Sequence, residues 1–238
     1  DARIIDITHE VPPQDVLSGA FTLNAVYQEF PEGTIHVTVV DPGVGSTRRP
    51  LILSAGNHFF VGPDNGLFSF VYERERDARI FHLNNEQFFR RPVSATFHGR
   101  DVFAPAAAAL SHGIAPEELG AEINDDDVVR LSGLKPAPAG ERVIEGSIIH
   151  IDRFGNCVTN FTHNDLGEDV MGRGVSLKIN GREITRFRRF FAEEGETKEE
   201  LFAIWGSAGF LEIAANRASA AKMLDAHTGQ KIIVMSDE

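Results

Sequence analysis

The stretch TIHVTVVDPGVGSTRR, residues 34–49, combines a strand signal with a turn signal. Its first seven residues are mostly apolar and β-branched, which predicts a buried strand that ends at Asp41. One proline and two glycines follow, before Arg48, and they predict a turn. Ligands of α/β sheets gather at the carboxyl ends of strands, so Asp41 and Arg48 are candidate site residues. The alternative is an Asp41 that caps its own turn beside a surface arginine.

The segments around this stretch alternate between strand and helix patterns. Strands are predicted at residues 3–7, 51–55 and 58–62, and helices at residues 14–30 and 101–112. Asp15 and Asp101 are expected to open these helices, and Gly113 to end the second one. The alternation predicts an α/β N-terminal domain with a largely parallel sheet.

The second half of the chain is richer in strand patterns. Residues 131–146 hold prolines and glycines without periodicity and are predicted to be a linker. Short strands are predicted at 147–152, 175–180, 182–187 and 201–205, and Asn180-Gly181 predicts a hairpin turn. The acidic run at residues 191–200 is predicted to be a solvated loop. We therefore expect an α/β domain over residues 1–130 and a smaller all-β, barrel-like domain over residues 147–238.

The composition of the chain excludes several kinds of binding partner and site. The chain has 238 residues, 42% of them hydrophobic, and a formal net charge of −12, which argues against a nucleic-acid partner. The single cysteine, Cys157, excludes an internal disulfide and a cysteine cluster for zinc. No apolar run approaches a membrane span and no signal peptide is visible, so we expect a cytoplasmic protein with a small-molecule partner.

The glycines after Asp41 do not form a known phosphate loop. A P-loop needs a lysine followed by serine or threonine after its second glycine, and this stretch has neither. A dinucleotide fingerprint needs three glycines that open a helix, whereas Gly45 precedes Ser-Thr-Arg-Arg-Pro and another predicted strand. Both phosphate interpretations therefore fail on context.

Two further stretches carry residues suited to chemistry. In TFHGRDVF, residues 96–103, His98 stands beside Gly99 just before a predicted helix, where a ligand can approach the backbone. In IIHIDRFGNCVTNF, residues 148–161, Asp152, Phe154 and Asn156 could bind a purine nucleoside through stacking and polar contacts. The alternative is a hairpin turn with Asn156 left-handed and Phe154 in the core.

Several segments, taken in order, resemble one family. DITHEVPPQDVLSGAF, VTVVDPGVGSTRR, VGPDNGL, TFHGRDVFAPAAA, IDRFGNCVTN and GSAGFLEIAAN are similar to the S-adenosyl-L-methionine hydroxide adenosyltransferases, relatives of the fluorinase and chlorinase. The resemblance implies hydrolysis of S-adenosylmethionine to adenosine and L-methionine by attack of water or hydroxide on ribose C5′. It implies Asp41, Arg48 and His98 as the catalytic set, with no metal or organic cofactor.

The resemblance also implies residues that bind the substrate. In this sequence they fall on Phe97, Gly99, Asp152, Phe154, Asn156, Ser207, Glu212 and Asn216. Ala208 stands where the fluorinase has an arginine, and the DRFGN segment is one residue shorter than its fluorinase counterpart. Halogenating relatives carry a tyrosine where Asp41 stands, and a carboxylate there would repel an incoming halide.

The family pattern carries expectations about the chain ends and the assembly. Family members begin with a strand and a loop of Thr-Asp-Phe-Gly type, so we expect this N-terminal strand to be missing from a sequence that starts at Asp1. The resemblance implies a homotrimer with sites at subunit interfaces. The alternatives are a halide-dependent enzyme, a non-catalytic adenosine or S-adenosylmethionine binding protein, and a metal hydrolase that uses Asp41, His98 and Asp101.

Overall fold

The chain folds into two compact units, residues 1–131 and 132–238. The structure is a computed structural model that describes residues 2–167, 174–191 and 199–236. No helix within these described ranges combines the length and the apolar character needed to cross a bilayer.

The N-terminal unit contains a five-stranded mixed sheet in the order β1-β3-β2-β4-β5. Its strands are β1 (Ile35–Val37), β2 (Pro50–Ala55), β3 (His58–Pro63), β4 (Arg79–Leu83) and β5 (Gly120–Ile123). Only β1 and β3 pair in parallel, with Ile35 opposite Phe59, and the other three pairings are antiparallel. The prediction of a largely parallel sheet is therefore wrong.

The turn between β2 and β3 explains the antiparallel arrangement. Gly56 and Asn57 are the two central residues of this turn, and both have positive φ, +55° and +62°. Two such residues form the tight hairpin turn that matches the twist of antiparallel strands. Ala55 pairs with His58 across the turn, so β2 returns directly along β3 without a crossover helix. The dipeptide Gly56-Asn57 is a signal of this hairpin in the sequence itself.

Helices and helical turns connect the strands of this unit. They are α1 (Val16–Val26), α2 (Ser69–Arg74), α3 (Ala104–Ser111), α4 (Pro116–Leu119), the 3₁₀ turns Tyr27–Glu29, Glu86–Phe88 and Asp125–Asp127, and the π-helical turn Gly99–Phe103. The predicted cap of α1 is confirmed, because Asp15 Oδ1 accepts a hydrogen bond of 2.9 Å from Ser18 N–H. Gly113, with φ +84°, follows α3 as predicted.

The sheet is buried on both faces. Leu51, Leu53 and Ala55 of β2 pack into the core cluster that contains Leu23 of α1. Ile52, on the opposite face, packs into a second cluster with Phe81, Val102, Phe103 and residues of α3. The continuous apolar run of β2 is therefore explained by its central position, because every side chain of a strand covered on both faces meets a core.

One predicted strand of this unit is wrong, and one predicted helix begins differently from the expectation. Residues 3–7 form no strand, and the side chains of Ile4, Ile5 and Ile7 are exposed. The predicted helix at residues 101–112 is confirmed over α3, and its first three residues belong to the π-helical turn. Asp101 does not cap a helix, because its carboxylate accepts hydrogen bonds from Arg100 and from the backbone of Ser94.

Two buried histidines, one on β1 and one on β3, contact each other. His36 Nε2 lies 3.3 Å from His58 Nδ1, and the two residues are 4% and 6% exposed. Tyr27 contacts both rings edge-on, and Phe60 stacks on His36 at 5.0 Å between centroids. Burial, with a smaller contribution from His58, lowers the pKa of His36 to about 4.

The C-terminal unit is built on a nine-stranded sheet curled into a half-barrel. Its strands are β6 (Ala137–Gly140), β7 (Val143–Ile151), β8 (Cys157–Thr162), β9 (Ser176–Ile179), β10 (Arg182–Ile184), β11 (Phe187–Arg188), β12 (Leu201–Trp205), β13 (Phe210–Ala215) and β14 (Lys231–Met235). They follow the order β10-β9-β14-β7-β8-β13-β12-β11, with β6 beside β7, and two short helices are present, α5 (His163–Leu166) and α6 (Ala220–Leu224).

The predicted hairpin at Asn180-Gly181 is confirmed. Both residues have positive φ, +47° and +75°, and they join β9 to β10. The segment 131–146, which the sequence predicts to be a linker, contains β6 and the first residues of β7. Most of the predicted acidic loop, residues 192–198, lies outside the described residues.

Candidate active site

Asp41 and Arg48 form a side-on ion pair at the end of the segment that continues β1. Arg48 Nε donates to Asp41 Oδ1 and Oδ2 at 2.9 and 3.0 Å, and Arg48 Nη2 also donates to Oδ2. The two side chains are only 5% and 8% exposed, respectively. A charge-assisted pair with several donors is both strong and geometrically specific. The turn thus brings Arg48 back beside Asp41, and Arg48 is not the surface arginine of the alternative interpretation.

Local hydrogen bonds and one glycine shape this turn. Ser46 Oγ donates to Gly43 C=O at 2.6 Å and accepts from Arg48 N–H at 3.2 Å. Gly45 has φ +75°, and a Cβ atom added there would lie 2.3 Å from the carbonyl oxygen of Ala95. Only glycine permits this close approach. The contact brings the turn against the segment that leads to His98.

His98, which is half-buried, completes a polar cluster with the buried pair. Its Nδ1 lies 2.8 Å from Arg48 Nη2. Because a guanidinium can only donate, Nδ1 must be the acceptor, and the proton of the neutral imidazole is on Nε2. Burial and the charge of Arg48 both lower the pKa of His98, which keeps the ring neutral at pH 7.

Arg48 has one donor group that no atom of the described residues satisfies. Its Nη1 is buried and has no hydrogen-bond partner among them. A buried donor without a partner is costly, and one beside a carboxylate and an imidazole is a natural contact for a ligand or water oxygen. The cluster of Asp41, Arg48 and His98 can therefore hold an oxygen nucleophile.

The two neighbours of His98 in the sequence, Phe97 and Gly99, both border open space. Phe97 is 60% exposed, with Arg100 stacked on its ring at 5.1 Å. Gly99 has no positive φ, and a Cβ atom added there would meet nothing within 4 Å. Gly99 therefore borders open space beside the imidazole, and the fold itself does not require a glycine there.

A surface cleft of the N-terminal unit reaches His98. It has a volume of about 600 Å³ and is walled by Pro50, Phe89, Val93, Val102 and His98. The charged residues Glu86 and Arg91 also line the cleft, so the imidazole lies in a wall of mixed character. The cluster, although buried, is thus within reach of solvent from this side.

Sequence reasoning did not single out Phe103. Its ring lies under the guanidinium of Arg48, with Cζ 5.2 Å from the ring centroid, and the residue is 0% exposed. Phe103 lies in the π-helical turn, a rare conformation without a recognised sequence pattern. The adjacent HGRDVF segment gives no signal for this contact.

The geometry does not favour the predicted metal-hydrolase alternative. Asp41 is held by Arg48, and both carboxylate oxygens of Asp101 are bonded to Arg100, one of them also to Ser94. Among the described residues, no group of three or more histidine, cysteine, aspartate or glutamate side chains is arranged to hold a metal ion.

In the C-terminal unit, Asp152 organises its own turn. Asp152 Oδ1 accepts from the N–H groups of Phe154 and Asn156 at 2.9 and 2.8 Å, and Oδ2 accepts from Asn156 Nδ2 at 2.9 Å. Gly155, with φ +85°, is the left-handed residue, and its Cβ position would lie 2.0 Å from Ser219 Oγ. Phe154 is 81% exposed. Neither a left-handed Asn156 nor a core position for Phe154 is observed.

The other predicted binding residues of this unit lie on and after the β12–β13 hairpin. Glu212 is half-buried, and burial together with the charge of Asp152 raises its pKa. A Cβ atom on Gly206 would lie 1.9 Å from Glu212 Oε1, so the carboxylate occupies the space beside this glycine. Ser207 is exposed in the turn, and the backbone of Asn216 pairs with residues 199 and 200. Asp152 and Glu212 thus form one negatively charged region, and Asn156 is hydrogen-bonded to Asp152.

These features define a class of protein. It has a mixed α/β unit that carries a buried Asp–Arg–His cluster and a half-barrel unit that carries an exposed aromatic side chain beside a carboxylate-rich turn. The model of the SAM hydroxide adenosyltransferase N-terminal domain matches residues 1–120, and that of the C-terminal domain matches residues 146–233. The chain belongs to the SAM hydroxide adenosyltransferase family.

Individual relatives agree with this assignment. The chain is 38% identical to the (R)-S-adenosyl-L-methionine hydrolase of Thermus thermophilus, over 96% of this chain and 86% of that protein. It is 35% identical to the hydrolase of the same name from Methanocaldococcus jannaschii, over 94% and 80%, and 28% identical to a Nocardia brasiliensis fluorinase, over 93% and 83%. A crystal structure of an uncharacterised Thermotoga maritima protein superposes with a TM-score of 0.87 at 33% identity, over 98% of this chain and 89% of that one.

Proposed function

We propose that this protein hydrolyses S-adenosyl-L-methionine to adenosine and L-methionine. Four relatives at 35–38% identity, each matched over at least 94% of this chain, are named (R)-S-adenosyl-L-methionine hydrolase. The observation in the structure that carries the proposal is the buried cluster of Asp41, Arg48 and His98, with one arginine donor left unpaired.

The reaction needs a positioned oxygen more than it needs acid catalysis. The water oxygen forms a bond to ribose C5′ while the C5′–S bond breaks and its electron pair returns to the methionine sulfur. Because a sulfonium is already a good leaving group, no proton has to be given to it. The enzyme contributes by orienting the water in line and by accepting one of its protons, steps worth several kcal/mol and roughly 10²–10⁴-fold, respectively.

The proton positions assign different roles within the cluster. In neutral His98 the lone pair of Nδ1 is used by Arg48, and Nε2 carries a proton, so the imidazole donates to water rather than accepting from it. Asp41 accepts three contacts from Arg48, which leaves acceptor capacity on a carboxylate with about four lone-pair sites. We therefore assign Asp41 as the acceptor of the water proton, Arg48 Nη1 as a donor to the oxygen, and His98 as a positioning donor.

The remaining predicted residues suit the substrate. The exposed ring of Phe154 offers a stacking face for adenine, and Asn156 lies beside it. The negative region of Asp152 and Glu212 suits the ammonium group and the sulfonium of the substrate. Phe97, Gly99, Ser207 and Asn216 are assigned to the walls of the substrate site by their match to the family pattern.

The proposal extends to partners and surroundings. We propose a cytoplasmic homotrimer with sites at subunit interfaces and no metal or organic cofactor, since the sulfonium itself supplies the activation. The net charge of −12 disfavours nucleic acid as a ligand.

The test is product analysis by chromatography. Purified protein is incubated with the R and S sulfonium epimers separately, with and without chloride, and with and without a chelator. We expect adenosine and methionine in halide-free buffer, unchanged by the chelator. Formation of 5′-chloro-5′-deoxyadenosine in place of adenosine would indicate a halogenating enzyme, and binding without turnover would indicate a sensor. Loss of activity in the chelator would refute the metal-free mechanism.

A further inference from the structure

The guanidinium of Arg48 is held at its edge by polar groups and also lies over an aromatic ring. Asp41 and His98 contact Nε and Nη2, which lie along the edge of the guanidinium. These contacts fix the group within its own plane but resist tilting of the plane only weakly. Arg48 Cζ lies over the ring of Phe103, 5.2 Å from the centroid, so the ring adds a contact outside the set of polar groups.

The π-helical turn brings His98 and Phe103 to the same arginine. The two residues are five positions apart, and in an α-helix at 3.6 residues per turn they would point about 140° away from each other. The turn Gly99–Phe103 is wider, and Ala104 N–H bonds to Gly99 C=O in the i→i+5 pattern. The wider turn lets both side chains face Arg48.

The ring itself has little freedom to move. Phe103 is 0% exposed and packs with Ile52 of β2 and Val61 of β3 in the core between the sheet and α3. A close-packed core keeps side chains in single rotamers. Phe103 is thus a fixed surface beside the guanidinium of Arg48.

We propose that Phe103 is a positioning residue for Arg48 and that the π-helical turn after His98 exists to present it. This inference rests on the proposed function. The ring keeps the guanidinium plane aligned so that Nη1 points to the nucleophile while Nη2 holds His98. Because Phe103 is 0% exposed, it acts through Arg48.

The chain offers a matched control for testing this role. Phe81 lies in the same core cluster, is 0% exposed, and also has an arginine stacked on it, Arg79 at 4.9 Å. Phe103→Leu and Phe81→Leu therefore remove similar volumes and similar cation–π contacts. Only the first is adjacent to the polar cluster.

We expect Phe103→Leu to lower kcat about tenfold relative to Phe81→Leu, with KM within about twofold of the original, which corresponds to about 1.4 kcal/mol in the barrier. Equal kcat values in the two variants would overturn the proposal. If Phe103→Leu does not fold, Phe103→Met, a milder change of volume, is compared with Phe81→Met under the same criterion.

A second measurement does not depend on turnover. The pKa of His98, followed by NMR titration, is held down in part by the charge of Arg48, so a loosened guanidinium should raise it in Phe103→Leu but not in Phe81→Leu. An unchanged His98 pKa would overturn the positioning role even if kcat fell. Absence of adenosine production by the unsubstituted protein would instead refute the proposed function and leave this titration as the test of Phe103.

Discussion

Asp41 and Asp152 both follow a strand and both open a turn, yet they are used in opposite ways. Asp41 is bound by the side chain of Arg48, which in turn binds His98 and keeps one donor unpaired. Asp152 is bound by the backbone and side chain of its own turn. Contacts between side chains can be redistributed during a reaction, whereas contacts within a turn fix its shape. The first carboxylate is therefore suited to chemistry and the second to shaping a binding surface.

The largest effect is expected from Asp41→Asn. This change removes the proton acceptor and leaves Arg48 buried without a counter-charge, so kcat should fall by roughly 10²–10⁴ and the free energy of unfolding by about 3 kcal/mol or more. Asp152→Asn is the matched change in the other turn and should act mainly on KM and stability, with kcat within about threefold. Steady-state kinetics and urea unfolding of both variants check this. Equal losses of kcat would remove the distinction between the two carboxylates.

The pH dependence of kcat and of KM should also differ between the two regions. Protonation of His98 would set an N–H group and a positive charge against Arg48 Nη2, so kcat should fall about tenfold per pH unit once the pH drops below the pKa of His98. Since that pKa is lowered, the decline should begin below the ordinary imidazole value of about 6.5. In the C-terminal unit, Glu212 has a raised pKa, so its charge is lost early on acidification and KM should rise.

The variant Glu212→Gln separates these two pH effects. It should abolish the change of KM with pH and leave the acid decline of kcat in place. A kcat profile that follows Glu212 rather than His98 would contradict the assignment of the two regions.

Effects of intermediate size on stability are expected from substitutions of Gly45 and Gly155, the glycines of the two turns. Gly45→Ala and Gly155→Ala both place a side chain at positive φ and against a close neighbour, the Ala95 carbonyl in one turn and Ser219 Oγ in the other. Each should cost about 1–3 kcal/mol of stability. Only Gly45→Ala shifts the segment that leads to His98, so only it should also lower kcat, measured at a temperature where both variants are folded. Similar kcat values would mean that the Ala95 contact does not position the cluster.

The smallest effect is expected from Gly99→Ser. The position has open space and an ordinary φ, so the free energy of unfolding should change by less than about 0.5 kcal/mol. Thermal denaturation provides the measurement, with Gly45→Ser as the destabilised control. A large loss of stability would show that the space beside His98 is not free.

How far the sequence predicted the structure depended on the range of the interactions involved. The Asp15 cap and the Asn180-Gly181 hairpin involve residues within a few positions, and both were predicted. The prediction of a parallel sheet is wrong because helix-strand alternation does not specify pairing, whereas the Gly56-Asn57 turn makes β2 and β3 antiparallel. Strand pairing is a non-local property, and periodicity alone does not decide it.

The residues of the candidate site show the same difference between local and non-local interactions. Asp41 and Arg48 are seven residues apart, and local sequence raised them as candidates, but His98 joined them only through the resemblance to a family. Phe103 was missed because its contact depends on a π-helical turn and on packing fifty-five positions away from Arg48 along the chain.

The buried pair of His36 and His58 gives the N-terminal unit an acid limit of its own. The unfolded chain takes up a proton at His36 near pH 6.5, while the folded chain resists it down to about pH 4, so the unfolded state binds more protons in this interval. Stability is complete above pH 6.5 and declines as the pH falls toward 4, by about 3 kcal/mol in total. Urea unfolding of the protein and of His36→Phe at pH 7 and pH 4.5 would measure this linkage, and an equal acid loss in both would refute it. Proton uptake at His36 should thus weaken the N-terminal unit as the pH falls below 6.5, in addition to the effect of His98 on kcat.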